Sequence, residues 1–392
     1  MIRSRKYNLD YLIIIYIILL CIISCVFIYS SSLKSGQYIG AMNFVYKQIF
    51  YYILGFGVMI LVSKLDLVQL RTFALLIYIV ITFALIGLIF APESIARPIN
   101  DAKAWYQIPF LGSFQPSEFL KFAFLILTSW ITITHNKKYS VHKLKTDFIL
   151  LGKIALLTLP PMFLVYIQPD TGMIMLYISM LLPMLFFSGI QKKILFFLLS
   201  IPTTIVGFII ICYFFFNRFY EEKVLGSLSP HQVSRINGWL DPFSYGDSAY
   251  QTQKGILAIG SGQITGKGFM QNNVYIPEKH TDFIFSNIAE ETGFIGASIV
   301  LIILFLMIFR FVLISLNANT QFTILMTSGI VSLFTFQVFQ NVGMTMGLLP
   351  VTGVTLPFLS YGGSSLLSNM LLVGIIISIK NSYIDLMFKM ED

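Results

Sequence analysis

Charge is scarce in this sequence. Asp, Glu, Lys and Arg together supply 11% of its 392 residues, where soluble globular chains carry about 25%. That excludes an ordinary soluble domain, and it equally excludes a disordered, highly charged chain. Cysteine is scarce too. Cys21, Cys25 and Cys212 each sit inside an apolar run, which argues against a disulfide framework or a thiolate zinc site. The histidines His135, His142, His231 and His280 lack metalloprotease spacing. No phosphate-binding loop, dinucleotide fingerprint or G-x-S-x-G elbow occurs.

What fills the chain is apolar. Hydrophobic residues make up 56% of it, and mean hydropathy is +0.80. A helix that spans lipid needs about 20 such residues. Segments of that kind lie near 10–30, 47–64, 73–91, 117–135, 148–167, 171–188, 194–217, 283–309, 322–341 and 361–379. The expectation is an all-α integral membrane protein, a single polytopic domain over 1–392 with about ten transmembrane helices. Arg3, Arg5 and Lys6 ahead of the run Leu9–Phe27 imitate a signal peptide. The run is long for one and no A-x-A site follows, so it reads as a retained first helix.

The cations sort by side. Arg3, Arg5, Lys6, Lys64, Arg71, Lys137, Lys143, Lys192, Arg310, Lys380 and their neighbours fall on one face, while the opposite short loops hold Lys34, Lys47, Arg97 and Lys103. This asymmetry places both termini in the cytoplasm. It also accounts for most of the net charge of +8, so nucleic acid is not implied as a partner. Two outer segments, about 92–116 and 218–282, are too long to be mere connectors. The second joins helices seven and eight. Chemistry on a polar group is expected on this outer face.

Charged residues close to lipid are functional candidates. Asp282 ends the long outer segment in Pro-Glu-Lys-His-Thr-Asp-Phe-Ile-Phe (277–285). A helix start there would favour its ionised form, and it could take a proton from a hydroxyl or simply cap the helix. Glu118 and Lys121 share a face at i,i+3 after Gln115-Pro116; they form an internal pair or meet an anionic headgroup. Asp170, in Gln-Pro-Asp-Thr-Gly (168–172), is a helix cap or part of a polar cavity. Trp105 beside Lys103 is an interface anchor, or a stacking surface for a sugar with a cation for phosphate. Arg235 and Lys267, with Lys254, Arg218 and Lys223, are outer cations suited to a pyrophosphate or to plain solvation. Glu290 and Glu291 are expected to pair with a cation or to bind one. The Gly- and Pro-rich stretch 347–365 cannot form a regular lipid-facing helix and must be buried or line a wet cavity.

These motifs resemble the SEDS family of polytopic membrane proteins, which includes FtsW, RodA and SpoVE. The resemblance rests on N-D-A-K-A-W (100–105), F-Q-P-S-E-F-L-K (114–121), Q-P-D-T-G (168–172), W-L-D-P (239–242), A-I-G-S-G-Q-I-T-G-K-G-F (258–269), P-E-K-H-T-D-F-I-F (277–285) and the P-V-T-G…L-P-F-L-S-Y-G-G-S-S stretch (350–365). It covers nearly the whole chain. The Asn341–Gly347 stretch and the overall length look closer to RodA than to FtsW.

The resemblance implies a peptidoglycan glycosyltransferase that polymerises lipid II outside the cytoplasmic membrane, in elongation, division or sporulation, with a class B penicillin-binding protein as partner. It implies Asp282 as the catalytic carboxylate and functional roles for Trp105, Glu118 and Lys121. A divalent cation, magnesium or manganese, is a candidate aid to the leaving pyrophosphate. One motif departs from the family's usual N-G-A-K-R-W: Asp101 replaces Gly and Ala104 replaces Arg. That removes a cation, for which Lys103, Lys121 or an outer arginine would compensate. A lipid II flippase, an ion-coupled transporter and a non-catalytic scaffold remain as alternatives. The flippase needs polar residues along a path through the bilayer, and the transporter needs inverted repeats.

Overall fold

The computed structural model describes residues 9–33, 38–98, 102–109, 112–227, 230–242, 249–318 and 320–390. Its apolar runs form α1 (Tyr11–Leu33), α2 (Tyr38–Ser63), α3 (Leu67–Phe90), α4 (Pro116–Lys138), α5 (Leu144–Ile167), α6 (Thr171–Phe186) and α7 (Lys192–Phe215). After α7 come a short helix α8 (Asn217–Phe219), α9 (Pro230–Leu240) and α10 (Tyr250–Ser261). The chain ends in α11 (Ile284–Ala318), α12 (Gln321–Thr345) and α13 (Gly363–Met390). Among the described residues, 9 helices are long and apolar enough to cross a membrane. The chain is an α-helical integral membrane protein.

One expectation changes. The sixth span, 171–188, is a helix of only 16 residues. At 1.5 Å per residue it reaches about 24 Å, short of a hydrocarbon core of about 30 Å. Asp170 caps its start, accepting from Met173 N at 3.2 Å, and the helix stops at Phe186, short of the expected end. The outer segments are also structured. Residues Tyr106–Ile108 (β1) and Gly112–Phe114 (β2) pair antiparallel with Tyr106 opposite Phe114, and the 218–282 stretch carries α9 and α10.

α4 and α13 are buried along most of their length, while α1, α3, α5 and α7 present apolar side chains outward. A helix apolar all round belongs in lipid or in the core of a bundle. At one end of the bundle Asp10 accepts from Arg310 at 2.8 Å and Lys380 at 2.9 Å, tying the start of α1 to α11 and α13. The starts of α4, α6, α11 and α13 lie at the opposite end, since each of these helices runs away from it.

α11 is broken at Gly293, whose φ is 65° and ψ −163°. The break frees backbone groups that lipid could not satisfy. A turn at 263–268 takes them up: Lys267 N and Gly268 N donate to the carbonyls of Glu290 and Glu291, both at 3.0 Å, while Phe294 N donates to Gln263 O at 2.8 Å. Gly266 (φ +81°) lies so close that a Cβ would stand 2.1 Å from Glu291 O, so only glycine fits. Side chains lock the same joint. Glu290 accepts from Lys267 at 2.8 Å, Lys279 at 3.0 Å and Asn273 N at 2.7 Å. Glu291 accepts from Ser30, Asn272 and Met270 N. Both acids therefore staple the last outer segment to α11, and that segment ends in Asp282.

Candidate active site

The irregular stretch before α13 folds back between the helix starts. Ser360 Oγ donates to Thr281 O at 2.7 Å, Tyr361 N donates to His280 O at 2.9 Å, and Asn341 Nδ2 donates to both Asp282 O and Val354 O at 2.8 Å. Between this stretch, α4, α6 and α9 lies a cavity of about 820 Å³. Its wall includes Trp105, Glu118, Asp170, Arg235, Asp282 and Tyr361. Five residues singled out from distant parts of the sequence thus face one space.

Asp282 is partly open to this cavity but surrounded by protein. Burial lifts its carboxyl to about 6, the Glu278 charge adds to the lift, and Arg235 opposes it. Desolvation is the largest influence on it and disfavours the charged form. Asp170 is likewise raised to about 6 by burial, held down in part by its bond from Met173 N. Arg235 is pulled below the usual arginine range by burial, while Asp282 and Asp170 pull it back up. Among the described residues, Arg235 is the only Lys or Arg on the cavity wall.

The remaining expected site residues are placed differently. Lys121 is fully buried beneath the cavity, its Nζ 2.5 Å from Glu118 Oε2. Ser368 Oγ donates to that same oxygen at 2.8 Å. Glu118 therefore presents itself on the floor with its charge already matched. Lys103 turns away and donates to Ala91 O at 2.5 Å, closing the carbonyl end of α3. Such carbonyls attract a cation because the helix leaves them unpaired. Lys267 is spent on Glu290. Ala104 is buried, and Asp101 lies outside the described residues. No cluster of three or more His, Cys, Asp or Glu able to hold a metal occurs among the described residues. No step below uses a metal ion.

Sequence reading passed over Gln115. Its Nε2 donates to Asp170 Oδ2 at 2.7 Å and its Oε1 accepts from Trp105 Nε1 at 3.2 Å. A neutral amide gives no charge signal. Its only trace was its place between Phe114 and Pro116, at the point where a strand becomes a helix.

Residues 10–383 match the family model FtsW/RodA/SpoVE, described as a cell cycle protein. The chain belongs to the FtsW/RodA/SpoVE family. It is 32% identical over 380 residues to the peptidoglycan glycosyltransferase MrdB of Escherichia coli (strain K12), covering 95% of this chain and 94% of that one. It is 29% identical over 388 residues to stage V sporulation protein E of Bacillus subtilis (strain 168), covering 96% and 98%. The rod shape determining protein RodA of Thermus thermophilus superposes with a TM-score of 0.64 at 25% identity, covering 96% and 97%. A chain of a peptidoglycan synthase complex that coordinates polymerization and crosslinking superposes with a TM-score of 0.73 at 24% identity, covering 96% and 98%. Family membership accounts for the motifs met in the sequence, and the match runs over nearly the whole chain.

Proposed function

We propose that this chain is an inverting peptidoglycan glycosyltransferase that polymerises lipid II on the outer face of a bacterial cytoplasmic membrane. The observation that carries the reading is Asp282, a carboxylate at about 6, sharing with Arg235 and Asp170 a cavity at the end of an otherwise apolar bundle. Polyprenyl chains are soluble only in lipid, and sugars only in water. An enzyme that joins lipid-borne sugars needs both phases within one site, and this architecture offers both.

In the reaction, the 4-hydroxyl oxygen of the acceptor GlcNAc attacks C1 of the donor MurNAc. The C1–O bond breaks and its electron pair leaves with undecaprenyl pyrophosphate. The hydroxyl proton passes to Asp282. A hydroxyl with a pKa far above 7 needs a base as it attacks, and a positioned base is worth about 10²–10⁴-fold. The pyrophosphate needs no acid, only charge neutralisation, and Arg235 is the cation at hand. Trp105 offers a flat face to a pyranose ring. Lys121 acts from below by holding Glu118.

The partner is a class B penicillin-binding protein that crosslinks the product, and the role is cell-wall elongation and shape maintenance, with division or sporulation the alternative. Lipid II flipping is less well supported, because the charged residues of the cavity wall, Glu118, Asp170, Arg235, Glu278 and Asp282, gather at one end of the bundle. The test is to feed purified protein labelled lipid II in detergent, without a membrane to cross. Glycan strands support the polymerase. Their absence, with and without the partner, contradicts it.

A further inference from the structure

One neutral side chain on the cavity wall bridges two polar neighbours. Gln115 sits between β2 and α4, and its main-chain N is fixed by Ser364 Oγ at 2.9 Å. Its amide spans the cavity wall from an aromatic ring to a carboxylate. The amide NH₂ is given to Asp170 Oδ2 and the amide oxygen takes the Trp105 indole N–H. Asp170 in turn has its other oxygen tied to Met173 N at 3.2 Å. The result is a three-residue chain, indole to amide to carboxylate to helix start, with every link directional.

We propose that Gln115 is a positioning residue for sugar recognition, one that sets Trp105 and Asp170 in fixed mutual orientation as a pyranose subsite across the cavity from Asp282. The inference rests on the glycosyltransferase reading and deepens it. A pyranose has an apolar face of C–H groups and a rim of hydroxyls. An indole plane takes the face and a carboxylate takes hydroxyl donors. Without the amide the indole N–H would lose this acceptor and Asp170 would keep only the bond from Met173 N, and a loosely held subsite loses much of its worth. The side chain of Gln115 fixes both, without bringing a charge that would compete for the sugar. A packing role would be met equally by an apolar residue of the same length. That the amide is used at both ends argues for orientation.

Two near-isosteric variants of the full-length protein separate these roles. Gln115→Met keeps the length and breaks both bonds. Gln115→Glu keeps the acceptor for Trp105 but places a second carboxyl against Asp170, so the pair shares one proton at low pH and repels when both ionise. Glu118, Tyr177, Arg235 and Asp282 also act electrostatically on or with Asp170, and they are common to all three proteins. Lipid II polymerisation is measured for kcat and KM from pH 5.5 to pH 8.5.

Gln115→Met should raise KM about tenfold while changing kcat less than threefold, as expected for lost orientation in binding. Gln115→Glu should approach the wild-type KM at the acid end and depart from it by about tenfold at the alkaline end. Wild-type KM in both variants at every pH would overturn the proposal. So would a loss in Gln115→Glu that is equal at all pH values, which is the mark of a structural role. Failure of the wild-type protein itself to make polymer would instead contradict the glycosyltransferase reading.

Discussion

Asn341 holds Asp282 by its main chain. From near the end of α12 its Nδ2 reaches Asp282 O at 2.8 Å, and the same nitrogen reaches Val354 O at 2.8 Å. One amide thus joins the residue before α11 to the folded-back stretch that forms the opposite wall. Asn341→Leu would leave two buried carbonyls unpaired, each costing about 1–3 kcal/mol. Turnover should fall about ten- to a hundredfold because the carboxylate loses its place. Steady-state kcat checks this, and a variant with wild-type kcat would deny Asn341 that role.

The carboxyls at about 6 fix the sign of the pH response. A base works only when ionised, so kcat should rise with pH along an acid limb centred near 6. Because Asp282 and Asp170 feel each other's charge, the limb belongs to the pair. Stability runs the other way. The folded state binds a proton on Asp282 more tightly than the unfolded chain, whose Asp titrates near 3.9, so this group's contribution to stability falls as pH rises from about 4 to about 6. Asp282→Asn should therefore raise the unfolding temperature at pH 7.5 by about 2–4 °C. Differential scanning fluorimetry at two pH values tests it.

Glu290 is the anchor of the outer joint. Glu290→Ala would strip the buried Lys279 of its carboxylate partner, a change that costs about 3–5 kcal/mol. The expected outcome is lower thermal stability and faster protease cleavage within 262–279, with kcat lost only as folded protein is lost. Glu290→Gln should be milder. Limited proteolysis followed over time distinguishes the two.

Gly172 opens α6 directly against the folded-back stretch. A Cβ there would stand 2.7 Å from Thr352 O, a backbone atom that cannot rotate away. Gly172→Ala should push apart the walls that carry Asp170 and Thr352, raising KM for lipid II severalfold. An unchanged KM would mean that the wall is softer than the close approach suggests.

The spans were legible because lipid leaves a chain little choice: about 20 apolar residues in a row mark a span wherever they occur. α6 was misjudged in length because Phe187 continues the apolar composition past the point where the helix stops. Trp105, Glu118, Asp170, Arg235 and Asp282 were each readable as polar residues beside lipid. That they share a cavity was not readable, since the five are spread along the chain from 105 to 282 on separate elements. Lys103 and Lys267 looked like phosphate ligands because a cation's partner is invisible when that partner is a main-chain carbonyl or a glutamate buried on another segment. The break at Gly293 was hidden for the same reason. Its compensation lies in the turn at 263–268.

The central claim is that Asp282 accepts the proton as two lipid-borne sugars are joined. Its most direct measurement is lipid II polymerisation by purified wild-type and Asp282→Asn proteins, matched for folded content and followed from pH 5 to pH 8. The wild type should make glycan strands with an acid limb near 6, and Asp282→Asn should make about 10²–10⁴-fold less at every pH. Strand synthesis by Asp282→Asn at the wild-type rate would contradict the account.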